Sequence, residues 1–251
     1  MNSALTNIYH ISFAPSTGEV SLFFWGCNFR CRGCLCKKDI RNFLLKENLH
    51  LFNEEPKGPP SPPEKFLMLV EVLQTLEKLR PKTVILEGQE AALDPIYPEL
   101  TQSLHERFGS RNILCTNAYH LPPLEHTDEL QVSLKAHTDA LHWYHTGKSN
   151  RRVLINFAGL VKSGKKISAS SVYVPGYIDS TEIERIAEFI ASVSKDIPYH
   201  ILPYLKAGDN PWRRPTPEEM KEAGQQATKH LKRVFAWTGN EELKYEVKRI
   251  V

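Results

Sequence analysis

Two rhythms of apolar and polar positions alternate along most of this chain. Residues 19–25 are β-branched and aromatic and run into Gly26, which reads as a first strand feeding a loop. Amphipathic stretches at 64–79, 95–108, 151–162, 180–194 and 217–231 predict helices, and the short apolar runs 83–87, 112–115, 129–134, 166–174 and 198–204 predict strands. The last helix starts at Thr216 or Pro217, with Glu218 and Glu219 suited to its first turn. A short helix is expected from Asp39, stopped by the proline-rich surface loop 54–63. Strand and helix in turn are the form of βα units around a parallel sheet. Counting the first strand gives six units, short of the eight of a closed barrel, so the expected fold is α/β, a partial open (β/α)6 TIM-like barrel in one domain over residues 1–251.

Composition adds little to this picture, since 41% hydrophobic and 24% charged residues are ordinary for a globular chain and argue against wholesale disorder. The net charge of +3 is small and the basic residues are scattered, so nucleic acid is not indicated. Nothing at the N-terminus resembles a signal peptide and no run is long enough to span a bilayer, which places the expected location in the cytoplasm, off the membrane.

Cysteine placement changes the picture most. Four of the five cysteines lie within ten residues, which fits a metal or cluster site in a reducing compartment better than a disulfide framework. Cys27, Cys31 and Cys34 follow C-x3-C-x2-C spacing, and three thiolates converging from one loop suit an iron-sulfur cluster with one iron left open. A structural zinc site that recruits Cys36 as a fourth ligand is the rival reading, although zinc sites usually pair ligands from separate loops. Cys36 follows Cys34 too closely to share its cluster comfortably and is read as a non-ligand, and Cys115, at a strand end, as a buried unreactive thiol.

The cysteine spacing after a strand and Gly26 resembles the radical S-adenosylmethionine (SAM) superfamily. Within it, the chain is most similar to the activating enzymes of glycyl radical proteins, such as pyruvate formate-lyase activating enzyme. Landmarks occur in the family's order: Gly88, Gln89 and Glu90 resemble the element that holds the SAM ammonium, Thr116-Asn117 a Thr-Asn pair, and Ser133-Leu134-Lys135 an Asp-Leu-Lys element beside the SAM site. Val172 to Gly176 and Ile201 to Tyr204 match strand ends that close the pocket. The resemblance implies a 4Fe-4S cluster on Cys27, Cys31 and Cys34, and SAM held by Gly33, Leu35, Gly88, Gln89, Glu90, Asn117, Ser133 and Lys135. It also implies a flavodoxin or ferredoxin type of reductant, reductive SAM cleavage to a 5′-deoxyadenosyl radical, and a glycyl radical protein as substrate.

The chain departs from the activases in several places. Gly33 stands where the superfamily has an aromatic or large apolar residue, and Cys115 and Ser133 replace the carboxylates of a monovalent cation site, which is therefore expected to be missing or altered. Ser170 replaces an Arg that pairs with the SAM carboxylate, Leu205 replaces a His, and the segment 15–19 replaces Asp-Gly-Pro-Gly. Lys135, Arg30, Arg32 and Arg152 are the candidates for the missing cation. These losses keep a small-molecule or nucleobase substrate in play, beside an electron-transfer or zinc-binding module that uses no SAM. The basic, aromatic loop 206–219 is either a cover for the pocket or an ordinary connection.

Overall fold

The computed structural model describes residues 4–37, 45–48, 54, 55, 58, 61–242 and 245–251. In chain order its elements are β1 (Ile8–Ala14), β2 (Glu19–Phe24), α1 (Leu69–Leu79), β3 (Thr83–Gly88), α2 (Tyr97–Phe108), β4 (Arg111–Thr116), β5 (Glu129–Ser133), α3 (Asp139–Thr146), α4 (Arg151–Lys162), β6 (Lys166–Tyr173), α5 (Ser180–Val193), β7 (Tyr199–Pro203), α6 (Pro217–Thr228), β8 (Val234–Ala236) and β9 (Lys248–Arg249). The strands form one sheet in the order β8-β7-β6-β5-β4-β3-β2-β1-β9, with β8 and β9 as free edges, so the barrel is open.

From β2 to β8 every pairing is parallel, while β1 and β9 pair antiparallel. The six predicted strands are β2 to β7, and β1, β8 and β9 are additions. Residues 8–14 escaped assignment because Ile8 and Ile11 are buried on one face and His10 and Ser12 on the other, which erases the alternation of a half-exposed strand. The other two are short edge strands with almost no periodicity to read.

Helix positions follow from burial and caps. Leu69, Val72, Leu73 and Leu76 give α1 a buried stripe at helical spacing. It begins later than the predicted residue 64 because the Leu67 N–H donates to Ile8 O at 2.8 Å and Leu5 bridges Met68, which keeps that stretch extended. Asp179 caps α5 by accepting from the Thr181 and Glu182 N–H groups, and Thr216 with Glu219 forms a capping box before Pro217 in α6. The α6 helix stops at Thr228 rather than 231, where the His230 and Leu231 N–H groups both turn onto Ala227 O. The helix expected from Asp39 lies mostly outside the described residues, and the described part of 54–63 has no regular structure.

The two faces of the sheet differ. Leu22, Phe24, Val84, Leu86, Leu114, Leu130 and Val132 point at the helices and join Leu76, Leu100, Leu104, Phe157 and Ile186 in one core. The opposite face, which lines the open barrel, carries Ser21, Glu87, Cys115, Gln131, Ser133 and Lys135, and the cysteine loop lies at the C-terminal end of this parallel array.

Candidate active site

The cysteine loop leaves β2 against the end of β3, and glycine is required where they meet. Gly88 has φ +101°, and a Cβ there would lie 2.7 Å from Phe24 O and 2.8 Å from Phe24 N. Beyond it the Gln89 N–H donates to Phe24 O, the Glu90 N–H donates to Gly26 O, and the Gln89 Oε1 accepts the Gly26 N–H at 3.0 Å. The Gly-Gln-Glu element thus clamps the start of the loop.

Glu90 is 2% exposed, with its carboxylate accepting from Thr116 Oγ1 at 2.6 Å and the Asn117 N–H at 2.8 Å. Burial pushes its carboxyl up to about 7, against those hydrogen bonds and the Lys135 charge. Asn117 then reaches the loop, donating to Asn28 Oδ1 at 2.7 Å and lying 3.7 Å from Cys27 Sγ. Ala118 follows in the left-handed region at φ +55°, its carbonyl bonded by Asn156 at 2.8 Å, so the Asn117 side chain is aimed by a held backbone.

The other side of the loop rests on α3, which the sequence did not disclose. The Arg30 N–H donates to Thr146 O and the Arg32 N–H to His145 O, each at 2.9 Å, filling carbonyls that the helix end leaves open. Buried Phe29 inserts between Tyr119 and His142, with ring centroids 5.5 and 5.4 Å away. Glu182 fixes the far end of α3 by accepting from the His137 and Thr138 N–H groups, each at 2.7 Å.

Gly33 shows what became of the missing aromatic residue. It has φ +70°, and a Cβ there would meet the Tyr204 ring and hydroxyl at 2.8 Å. Tyr204, at the end of β7, fills from across the barrel the space that a side chain at 33 would occupy. Its single hydroxyl proton faces two acceptors, Ala207 O and Asn210 Oδ1, both at 3.1 Å, and its ring meets Trp212, which stacks on Tyr177 at 4.2 Å. The loop 206–219 therefore packs through Trp212 against Tyr204 and against His145 of α3, both of which support the cysteine loop.

The thiols share one electrostatic environment. Burial pushes Cys27 up to about 11 and Cys31 up to about 12; Cys34 raises both further, and Lys135 lowers both. Cys36 is raised well above the ordinary thiol range by its hydrogen bond with Cys34, then by burial, and it donates to Gly88 O at 3.6 Å. Lys135 Nζ donates to Ser133 Oγ at 2.6 Å, which sets this one ammonium beside the thiols. The three thiols of this loop, exposed at Cys27 and half-buried at Cys31 and Cys34, lie near a cation, and Cys27 and Cys31 do not ionise easily alone; they are a donor set suited to iron, whose positive charge stabilises thiolates. Residues 22–190 match the sequence profile of the radical SAM superfamily. The chain belongs to that superfamily.

Radical SAM relatives agree along most of its length. A Methanocaldococcus jannaschii protein named as a glycyl-radical enzyme activating enzyme is 28% identical over 90% of this chain and 82% of its own length. A pyruvate formate-lyase-activating enzyme of Staphylococcus aureus is 33% identical over 36% of each chain. Among solved structures, a radical SAM methyltransferase from Sphaerobacter thermophilus superposes with TM-score 0.56 at 15% identity, over 89% of this chain and 67% of its own, and shares the fold. The protein is thus a radical SAM enzyme, and its cofactors are a 4Fe-4S cluster and SAM. Among the described residues no helix is long and apolar enough to cross a membrane.

Of the residues expected around radical SAM cofactors, Cys27, Cys31, Cys34, Gly33, Gly88, Gln89, Glu90, Asn117 and Lys135 come together, and Ser133 joins them through Lys135. Leu35 opens a short 3-10 turn and is 40% exposed. Ser170 is buried and pairs with Ser133 across β5 and β6. Of the candidate cations, Arg32 lies over Tyr144 at 4.2 Å, Arg152 over Tyr119 at 5.3 Å, and Arg30 against Gly147, which leaves Lys135 as the one among the thiols. Cys115 is half-buried, bonds to Gln131 at 3.5 Å, and is pushed well up first by burial and then by Glu87 and Glu90. Sequence reading places Tyr204 at a strand end that closes the pocket but does not pair it with Gly33, and it gives Glu182 no role, because their partners, Gly33 and Thr138, lie far away in sequence.

Proposed function

We propose that this chain is an activating enzyme that installs a radical on a glycyl radical protein, with Cys27, Cys31 and Cys34 holding its cluster. The observation that carries this is the convergence of three cysteines of one loop with Lys135 and Glu90 at the C-terminal ends of β2 to β5. An activating-enzyme relative matching 90% of the chain supports the substrate class. When bound, cluster and SAM supply one-electron cleavage of a SAM C–S bond, giving a 5′-deoxyadenosyl radical able to remove hydrogen.

In this reading Gly33, Leu35, Gly88, Gln89, Glu90, Asn117, Ser133 and Lys135 form the SAM site. Gly88 lets the backbone come close, and Gln89 and Glu90 hold the chain where carbonyls face an ammonium group. The Lys135 ammonium, steadied by Ser133, receives the SAM carboxylate in place of the absent Arg, and Asn117 ties that site to the cysteine loop. A ferredoxin or flavodoxin type of carrier supplies the electron. Five free cysteines suit the reducing cytoplasm as its setting.

A small-molecule substrate is the second reading, favoured by the polar inner face around Ser21, Glu87, Cys115 and Gln131. Mixing the reduced, cluster-loaded chain with SAM and a glycyl radical protein, then recording electron paramagnetic resonance, separates the two. A glycyl radical signal on the partner, absent with Cys31→Ala, is expected. Formation of 5′-deoxyadenosine without a radical on any such partner contradicts the activase reading.

A further inference from the structure

Around the outer rim of the cysteine loop, three cations lie on aromatic rings and a fourth lies beside them. The Arg32 guanidinium covers Tyr144 at 4.2 Å, and Lys148 and Arg152 cover Tyr119 at 5.9 and 5.3 Å. Arg30 is packed against Gly147, next in the chain to Lys148. All four are exposed, and so are Trp143 at 63% and Tyr144 at 50%. Among the described residues, no ion pair joins any of the four to a carboxylate.

The patch is placed close to the redox centre. Tyr119 meets Phe29 edge to face at 5.5 Å, and Phe29 is the ring between Cys27 and Cys31, its N–H 3.3 Å from Cys27 Sγ. Arg30 and Arg32 flank Cys31 in sequence. Contact runs unbroken from solvent through Tyr119 and Phe29 to a cysteine of the loop.

We infer that this rim, formed by Arg30, Arg32, Lys148 and Arg152 with Trp143 and Tyr144, docks an acidic one-electron carrier protein that reduces the cluster. The inference rests on the cluster assignment above. Unpaired cations steer a partner of opposite charge and fix its orientation, and exposed aromatic groups among them supply contact area. Redox encounters use small interfaces of this kind, in which speed and release matter more than affinity. One electron leaves the carrier and arrives at the cluster; the carrier is oxidised, the cluster is reduced, and no bond forms or breaks. An RNA backbone would also meet cations, but a compact patch over the cysteine loop in a chain of net charge +3 favours the protein carrier.

The test uses the cluster-loaded chain and the double variant Lys148→Glu with Arg152→Glu, both of which lie off the cysteine loop. Titration with flavodoxin gives the affinity, and stopped-flow bleaching of the cluster gives its rate of reduction by reduced flavodoxin or by reduced methyl viologen. The affinity and the flavodoxin rate are expected to fall about tenfold at low ionic strength and to converge with wild type in high salt, while viologen reduces both proteins without slowing. Unchanged flavodoxin kinetics, equal slowing with both reductants, or loss of RNA binding alone overturns the inference. A wild-type chain that accepts electrons from viologen but never cleaves SAM contradicts the cofactor assignment instead, which keeps the two failures apart.

Discussion

The helix-facing and barrel-facing sides of this sheet are made from the same strands, yet they carry opposite burdens. On the first side Leu22, Leu86 and Leu114 are wholly buried among helices and hold the fold together. On the second, Glu87, Cys115, Gln131 and Lys135 are polar, which is unlike the branched apolar layers that usually fill a closed barrel. Because side chains alternate along a strand, a single residue's step separates stability from chemistry.

Substitutions on the two sides should separate accordingly. Cys31→Ala is expected to have the largest effect, lowering cluster occupancy and SAM cleavage by more than ~100-fold, since even partners of metal ligands can cost that much. Cys36→Ala should keep both, and iron analysis with product chromatography reads the contrast. In the core, Leu86→Ala should destabilise the chain by about 2–5 kcal/mol in urea unfolding, whereas Gln131→Ala on the inner face should stay within about 1 kcal/mol.

Between these extremes lies Glu90, buried yet ionisable. Its carboxyl rises from the ordinary 4.5 to about 7 on folding, so the folded chain holds that proton more tightly. Its contribution is complete below about pH 4.5 and is lost as pH rises through 7, by roughly 3 kcal/mol at one pKa unit per 1.36 kcal/mol. Unfolding followed from pH 5 to 8 should show this loss in wild type and a flatter profile in Glu90→Gln. A smaller effect, about 1–3 kcal/mol, is expected for Gly33→Ala, whose new methyl meets the Tyr204 ring. In a double-mutant cycle, Gly33→Ala should cost less in the Tyr204→Ala background than in wild type; an equal cost in both would mean that the backbone at 33, and not the ring, decides.

Much of this arrangement was legible in the sequence. The strands β2 to β7 and helices α2, α4 and α5 announce themselves through runs and helical stripes, and the cysteine spacing identifies the loop. What escaped depends on contacts between distant residues. The helix α3 is short and rich in His and aromatic residues, and Glu182 anchors it from another helix. The superfamily's aromatic or large apolar residue before the third cysteine is absent at Gly33, and the space it would take is filled by Tyr204, 171 positions later (204 − 33). Local pattern reads elements well; it cannot show which side chain fills another residue's empty space.

Anaerobic reconstitution with iron and sulfide, followed by dithionite, SAM and chromatography for 5′-deoxyadenosine, decides whether the cysteine loop carries this chemistry. Wild type should give a bound 4Fe-4S cluster and release 5′-deoxyadenosine, with both lost in Cys31→Ala. Zinc in place of iron, or a full cluster that leaves SAM intact under dithionite, would contradict the assignment.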